Sequence, residues 1–186
     1  MTLQQSPFER LLGADFERMP APVWHLHSLR GALLTAGRAD VTAATGILAR
    51  LLCWNAGLPK PGRDMAVTVL FTPDGQGGEH WDRKFADRRY ASSISLGEGR
   101  DQGFLIEHFS LFHLQFRLTA QPEGLTWILT GWRLLGIPLP RWSVPAIRCV
   151  EGADGERFTF DIDVTFPLIG WLIHYRGWLL PDDAGR

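Results

Sequence analysis

The segment Arg157-Phe-Thr-Phe-Asp-Ile-Asp-Val-Thr-Phe166 alternates apolar and polar side chains along almost its whole length. The apolar members are Phe158, Phe160, Ile162, Val164 and Phe166. Because successive side chains of a β-strand point to opposite faces, this pattern predicts a strand with one buried face and one exposed face. One-sided burial is typical of an antiparallel sheet and argues against a parallel α/β fold.

The same period of two recurs from Asp64 onward, interrupted by turn signals such as Pro73-Asp74-Gly75 and Ala153-Asp154-Gly155. The pattern predicts strands over residues 65–72, 79–85, 89–96, 104–109, 112–121, 125–135, 146–151, 157–166 and 172–180. Eight or nine strands with a turn signal every 8–12 residues or so are typical of an all-β sandwich or barrel.

Two helices are predicted before the strands. Ser6-Pro7 is a typical helix start, with Ser as the N-cap and Pro at the first helical position. Gly13 could interrupt this helix, and we expect it to end at Pro20 and Pro22. A second helix is predicted over residues 46–56, where apolar side chains form a stripe. Residues 29–42 between them are rich in small residues and are predicted to be extended.

These elements predict a mainly β (α+β) fold in a single domain, residues 1–186, because no linker or internal repeat interrupts the chain. We expect an antiparallel β-barrel or a strongly curved sheet of about eight strands, with one or two N-terminal helices packed on it. A barrel of about eight strands has an interior that side chains fill or that holds one small ligand. The alternative is a helix-grip fold, which usually ends in a long C-terminal helix, whereas this sequence ends in a predicted strand.

The composition excludes several classes of protein. Nineteen Lys and Arg stand against twenty Asp and Glu, so the basic surface of a nucleic-acid-binding protein is not expected. The two cysteines have no Cys-x-x-Cys spacing, which favours a reducing cytoplasm over a disulfide framework. No stretch approaches the roughly 20 apolar residues that span a bilayer, so we expect no integral membrane segment and no targeting signal.

Several local patterns together carry a family resemblance. They are Phe8-Glu-Arg-Leu-Leu-Gly13, Gly62-Arg-Asp64 leading into Val67-Thr-Val-Leu-Phe71, Trp81-Asp-Arg-Lys-Phe85, Trp132-Arg-Leu-Leu-Gly-Ile-Pro-Leu-Pro140, and Phe166-Pro-Leu-Ile-Gly170 continuing to Tyr175-Arg-Gly-Trp-Leu179. With them the chain resembles the bacterial domain-of-unknown-function family 4166 over nearly its whole length. Members of that family occur alone or fused to saccharopine-dehydrogenase-like reductase domains, so the resemblance implies a reductase-like partner. It implies no activity and no catalytic residues.

Metal and cofactor sites are not predicted. His25 and His27 are one residue apart and His80 lies two before Asp82, but no third ligand recurs near either pair, and a catalytic zinc needs three. The glycine-rich residues 75–78 lie between two predicted strands, which indicates a hairpin turn rather than a phosphate loop. No βαβ unit or Gly-x-Ser-x-Gly motif occurs, so neither a dinucleotide cofactor nor a serine nucleophile is expected.

Arginines inside aromatic strands suggest a ligand site. The candidate residues are Trp81, Arg83, Arg133, Tyr175 and Arg176, with Glu107 and Asp163 as charge partners. A buried guanidinium needs a carboxylate or an anionic ligand, whereas on an outer face the same residues form only exposed salt bridges. Alternation places Tyr175 and Arg176 on opposite faces, so at least one of them should lie outside a barrel.

We therefore predict a barrel that binds a small apolar or amphipathic molecule, such as a carboxylate-bearing one, and we favour no enzymatic activity. A small enzyme of the decarboxylase or isomerase type remains open and requires buried carboxylates converging on a cavity. A structural or interaction module that acts beside a reductase also remains open and would show no cavity. The apolar loop over residues 133–142 could be an exposed contact surface, but we favour a lid or plain packing because it contains no basic cluster.

Overall fold

The structure, a computed structural model, describes residues 5–167 and 169–182. Eleven strands follow one another along the chain, and all of their pairings are antiparallel. They are β1 (Leu33–Ala43), β2 (Gly62–Pro73), β3 (Glu79–Phe85), β4 (Arg88–Leu96), β5 (Leu105–Phe109), β6 (Phe112–Gln121), β7 (Gly124–Leu134), β8 (Ile137–Pro138), β9 (Ala146–Asp154), β10 (Arg157–Phe166) and β11 (Gly170–Pro181).

Ten of these strands form a closed barrel. Each strand from β1 to β7 pairs with the next, β7 pairs with β9, and the ring continues through β10 and β11 back to β1. The two-residue β8 lies outside the ring and pairs with β7. The predicted antiparallel barrel is confirmed, with ten strands rather than about eight. All nine predicted strands are present, and the tenth is β1, for which the sequence predicts only an extended segment.

Three α-helices accompany the barrel: α1 (Pro7–Leu12), α2 (Ala21–His27) and α3 (Ile47–Asn55). As predicted, Ser6 caps α1, and its hydroxyl accepts a hydrogen bond from the backbone N–H of Glu9. Pro20 and Pro22 do not simply end a helix. Pro20 is the N-cap of α2 and Pro22 lies in its first turn, where a missing N–H costs nothing.

The barrel has two distinct ends, because consecutive antiparallel strands run in opposite directions. At one end, here called the mouth, lie α3 and the connections between β1 and β2, β3 and β4, β5 and β6, β7 and β9, and β10 and β11. The other end, the floor, is covered by α1 and α2, whose side chains Phe8, Val23, Leu26 and His27 are buried in the core. No helix among the described residues is long and apolar enough to cross a membrane.

Two glycines allow the first and last strands to approach closely where the ring closes. A Cβ atom on Gly37 would lie 1.8 Å from the carbonyl oxygen of Trp178, and one on Gly177 would lie 2.2 Å from that of Arg38. Any larger residue would have to push β1 and β11 apart. The closure between β1 and β11 therefore depends on glycine at both positions.

Candidate functional site

A cavity of about 450 Å³ occupies the barrel interior between the floor and α3. Its wall is mostly apolar and includes Val69 and Phe71 of β2, Leu114 of β6, and Phe160 and Ile162 of β10. These side chains share the inward face of their strands because the alternation seen in the sequence matches the barrel's pleat. On the mouth side, Leu52 and Leu58, from α3 and the residues after it, border the same cavity.

A polar group interrupts the apolar wall at Arg83 on β3. Its guanidinium donates hydrogen bonds to Ser92 Oγ at 2.7 Å and to Glu107 Oε1 at 3.3 Å. The guanidinium carbon also lies 4.8 Å from the ring centroid of Trp81 and 5.4 Å from that of Tyr90, within cation–π range. The Arg83 and Glu107 side chains are each 15% exposed, so this ion pair is largely desolvated.

Three titratable groups on the cavity wall are held in their neutral forms. Burial raises the pKa of Tyr90, and it raises the pKa values of Tyr175 and Cys149 well above their usual ranges. Both hydroxyls and the thiol therefore keep their protons near neutral pH and can donate hydrogen bonds. Tyr175 packs against Phe85 with 5.7 Å between ring centroids, which positions it on the wall next to β3.

The floor contains a second buried polar cluster, made of His27, Glu79 and Glu151 with two tryptophans. His27 Nε2 lies 2.7 Å from Glu151 Oε2, and Trp81 Nε1 donates to Glu79 Oε2 at 2.8 Å. Burial raises the pKa of Glu79 to about 7. His27 Nδ1, Glu79 Oε1 and Trp127 Nε1 are buried without a hydrogen-bond partner among the described residues. Of the two floor carboxylates, Glu151 lines the cavity and Glu79 does not.

The structure brings four of the seven predicted site residues together on the cavity wall: Trp81, Arg83, Glu107 and Tyr175. The other three are not cavity-lining residues. Arg133 binds Asp101 through two hydrogen bonds of 2.6 and 2.7 Å.

Asp163 and Arg176 do not contact Arg83 or Glu107. Asp163 accepts a hydrogen bond from Trp171 Nε1 at 3.1 Å, and the exposed Arg176 lines an outer groove. The alternation of β11 places Tyr175 on the inner face and Arg176 on the outer face.

Sequence reasoning missed Tyr90, Cys149 and the His27–Glu151 pair. The two members of that pair are 124 positions apart, and nothing in either local sequence indicates the other. The alternation of inward and outward positions could have identified Tyr90, because it is directly opposite Arg83 on the neighbouring strand and both occupy inward positions. No cluster of three or more His, Cys, Asp or Glu side chains that could hold a metal ion occurs in the described part of the chain.

A family model described as "Domain of unknown function (DUF4166)" matches residues 19–179, which is most of the chain. The match includes α2, α3 and every residue of the cavity wall named above, and it leaves out α1. No curated protein and no solved structure matches the chain.

Proposed function

The chain belongs to the family of the domain of unknown function 4166, and because that description assigns no activity, we propose a function from the cavity: the barrel binds one small apolar or amphipathic molecule. The observation that carries the proposal is the apolar-walled cavity of about 450 Å³ with a polar group around Arg83 on its wall. Pockets for small organic ligands typically measure about 300–1,000 Å³ and combine apolar walls with a few polar groups.

The polar group around Arg83 indicates the chemistry of the ligand end that it would bind. A guanidinium has five N–H donors, and Ser92 and Glu107 accept only two hydrogen bonds from Arg83. The remaining donors, with the hydroxyls of Tyr90 and Tyr175, suit a carboxylate or carbonyl oxygen. The ligand class is therefore an apolar molecule with one acidic or carbonyl-bearing end, whose apolar part would contact the surrounding wall.

A catalytic role for a cavity carboxylate has weaker support. Glu107 is paired with Arg83, and Glu151 is hydrogen-bonded to His27, so each of these carboxylates already has a partner within the protein. Glu79, whose pKa is raised, lies outside the cavity lining. Because the contacts of all three groups suit a structural role, the proposal includes no catalytic step.

A cytoplasmic location and a reductase-like partner remain parts of the proposal. Cys53 and Cys149 are both free thiols, which fits a reducing compartment. The reductase-like partner is proposed from the family resemblance. A barrel that holds a small apolar molecule could present that molecule as a substrate to a separate enzyme.

Native mass spectrometry of the protein purified from its own host tests the binding proposal. We expect a co-purifying small molecule with the wild type and little or none with Cys149→Trp, whose larger side chain would project into the cavity and compete with a ligand for its space. Arg148→Trp is the matched control, because Arg148 is the exposed neighbour on the same strand and should leave the ligand in place. Wild-type protein that carries no ligand, and that also takes up no fluorescent long-chain carboxylate added in solution, would refute the proposal.

A further inference from the structure

Large apolar side chains are exposed at one end of the molecule. Eight of them are more than half exposed among the described residues, and all eight lie at the mouth. Four belong to α3, where Ile47 reaches 87% exposure and Trp54 reaches 62%. The sequence favours a lid or plain packing for residues 133–142, but Leu135, Ile137 and Trp142 are each about 70% exposed. We call the following residues the mouth rim: Ile47, Leu48, Leu51, Trp54, Leu111, Leu135, Ile137 and Trp142.

The two ends of the barrel also differ in charge. The connections at the mouth contain Arg50, Lys60 and Arg141 and one acidic residue, Asp87, which is bonded to Lys60 at 2.6 Å. The connections at the floor end have the opposite charge. They contain Arg100 and five acidic residues, Asp74, Glu98, Asp101, Glu123 and Glu156, of which Asp101 is paired with Arg133. The apolar rim therefore lies in the more positive half of a molecule whose formal net charge is only -1.

A groove of about 700 Å³ beside α3 brings both properties together. Ile47, Leu51 and Trp54 of the mouth rim line it, and so do the cationic side chains of Arg50, Lys60 and Arg88, while no carboxylate is among its lining residues. The Nε atom of Arg88 is buried and has no hydrogen-bond acceptor in the described part of the chain. An unpaired donor on a permanently charged guanidinium, beside an apolar helix face, suits an anionic group attached to an apolar body.

From this geometry we propose that the mouth docks on an anionic phospholipid surface. The mouth rim enters the boundary between headgroups and acyl chains, and lipid phosphates bind Arg50 and Arg88 in the groove. A second copy of the chain fits less well, because a symmetric contact would place the positive rim of one copy against that of the other.

Docking in this orientation would face the cavity toward the bilayer, since α3 exposes one face at the rim and borders the cavity with Leu52 on the other. An apolar ligand could then pass between membrane and cavity without crossing water. This last step rests on the proposed function, whereas the docking itself does not.

Vesicle flotation tests the docking. We expect the wild type to float with phosphatidylcholine vesicles that contain about 30 mol % phosphatidylserine, and not with pure phosphatidylcholine vesicles. The double variant Ile47→Gln/Trp54→Gln should lose flotation. Arg50→Gln and Arg88→Gln should each weaken binding to the anionic vesicles by about fivefold.

Matched controls separate docking from general apolarity and charge. Leu70→Gln alters an exposed apolar residue on the barrel side, and Arg100→Gln removes a cation at the floor end, so neither should change flotation. Thermal melting checks that every variant is folded, and Arg50→Gln keeps the charge test valid should Arg88→Gln fail to fold, because the Arg50 side chain is exposed.

Equal flotation on both vesicle types, or flotation that survives Ile47→Gln/Trp54→Gln, would overturn the proposal. So would a dimer in analytical ultracentrifugation that the same double variant dissolves, because the rim would then contact a second copy. Uptake of a fluorescent long-chain carboxylate measured without vesicles is independent of docking, so its loss would count against the proposed function alone.

Discussion

Glu79 is a buried acid with an incomplete set of hydrogen bonds, since Trp81 binds one carboxylate oxygen and the other has no partner among the described residues. Burial raises its pKa from 4.5 to about 7, and the neighbouring side chains His27, Glu151 and Asp74 and the hydrogen bond from Trp81 modify this effect. The folded protein therefore retains this proton to a higher pH than the unfolded chain. Its contribution to stability falls as pH rises from about 4.5 to about 7 and stays low above that.

Replacing Glu79 with Gln should remove this pH dependence. We expect Glu79→Gln to be close to the wild type near pH 4.5 and more stable near pH 8, by up to roughly 3 kcal/mol. Urea unfolding at both pH values measures the difference in the free energy of unfolding. Glu123→Gln, at an exposed turn position, is the control and should show no such divergence. A difference between wild type and Glu79→Gln that does not change with pH would contradict the assignment.

Arg83 provides a test of which ligand end the cavity receives. The variant Arg83→Met/Glu107→Gln removes the ion pair as a unit, so that no buried charge is left unpaired. A long-chain carboxylate should then bind roughly 10- to 100-fold more weakly, because charged hydrogen bonds contribute about 1.5–3 kcal/mol. The methyl ester of the same compound should bind the two proteins almost equally. Titration calorimetry with both compounds measures this, and parallel losses for acid and ester would argue against a carboxylate contact at Arg83.

For individual residues, the sequence predicts the contacts that follow from the alternation of inward and outward positions along a strand. It does not predict the contacts that form only when the barrel and its floor close. Arg83 on β3 and Glu107 on β5 occupy inward positions, and only β4 separates the two strands, so their pairing follows from alternation. His27 and Glu151 meet because α2 closes the floor against β9, and that arrangement depends on the whole barrel.

Among the elements, β1 and β11 show how closely two strands can be forced together. A Cβ on Gly37 would overlap the backbone of β11, whereas one on Gly31, just before β1, would meet no atom within 4 Å. Gly37→Ala should therefore destabilise the protein by roughly 1–3 kcal/mol or more. Gly31→Ala, the matched control, should be neutral or slightly stabilising because it only restricts the unfolded chain. Thermal unfolding measures the stability of both variants. An unchanged melting temperature for Gly37→Ala would show that β1 and β11 do not approach each other so closely in solution.

The same strand explains why ten strands were not predicted. The sequence of β1 is Leu33-Leu-Thr-Ala-Gly-Arg-Ala-Asp-Val-Thr-Ala43, which has inward Gly37 and Ala39 where other strands have large apolar residues. The close approach that requires small residues also removes the alternation by which a strand is recognised. Helix α2 was missed for a related reason, since a proline in the first turn resembles a helix stop until tertiary packing is known.

The molecule as a whole should be more stable with its cavity filled. Protein unfolded in denaturant, freed of ligand and refolded should melt at a lower temperature than protein as purified. A long-chain carboxylate at about 100 times its Kd should stabilise the folded state by about 2.7 kcal/mol, raising Tm by roughly 5–10 °C. Differential scanning calorimetry measures the shift. Cys149→Trp should show no response, and an equal rise in that variant would place the compound somewhere other than the cavity.

The pairing of β1 with β11 has a consequence for how the protein is made. The two strands are held along nearly their whole length, and the seam continues to a hydrogen bond from the Asp182 N–H to the Leu34 carbonyl oxygen at 2.9 Å. On the ribosome, β1 is synthesised about 140 residues before β11 is complete, which at 5–20 residues per second is roughly 7–28 s. Throughout that interval the nascent sheet has an unpaired edge and an uncovered apolar face. The barrel can therefore close around its cavity only after translation has passed residue 181, and until then the nascent chain exposes the kind of apolar surface that is prone to aggregation.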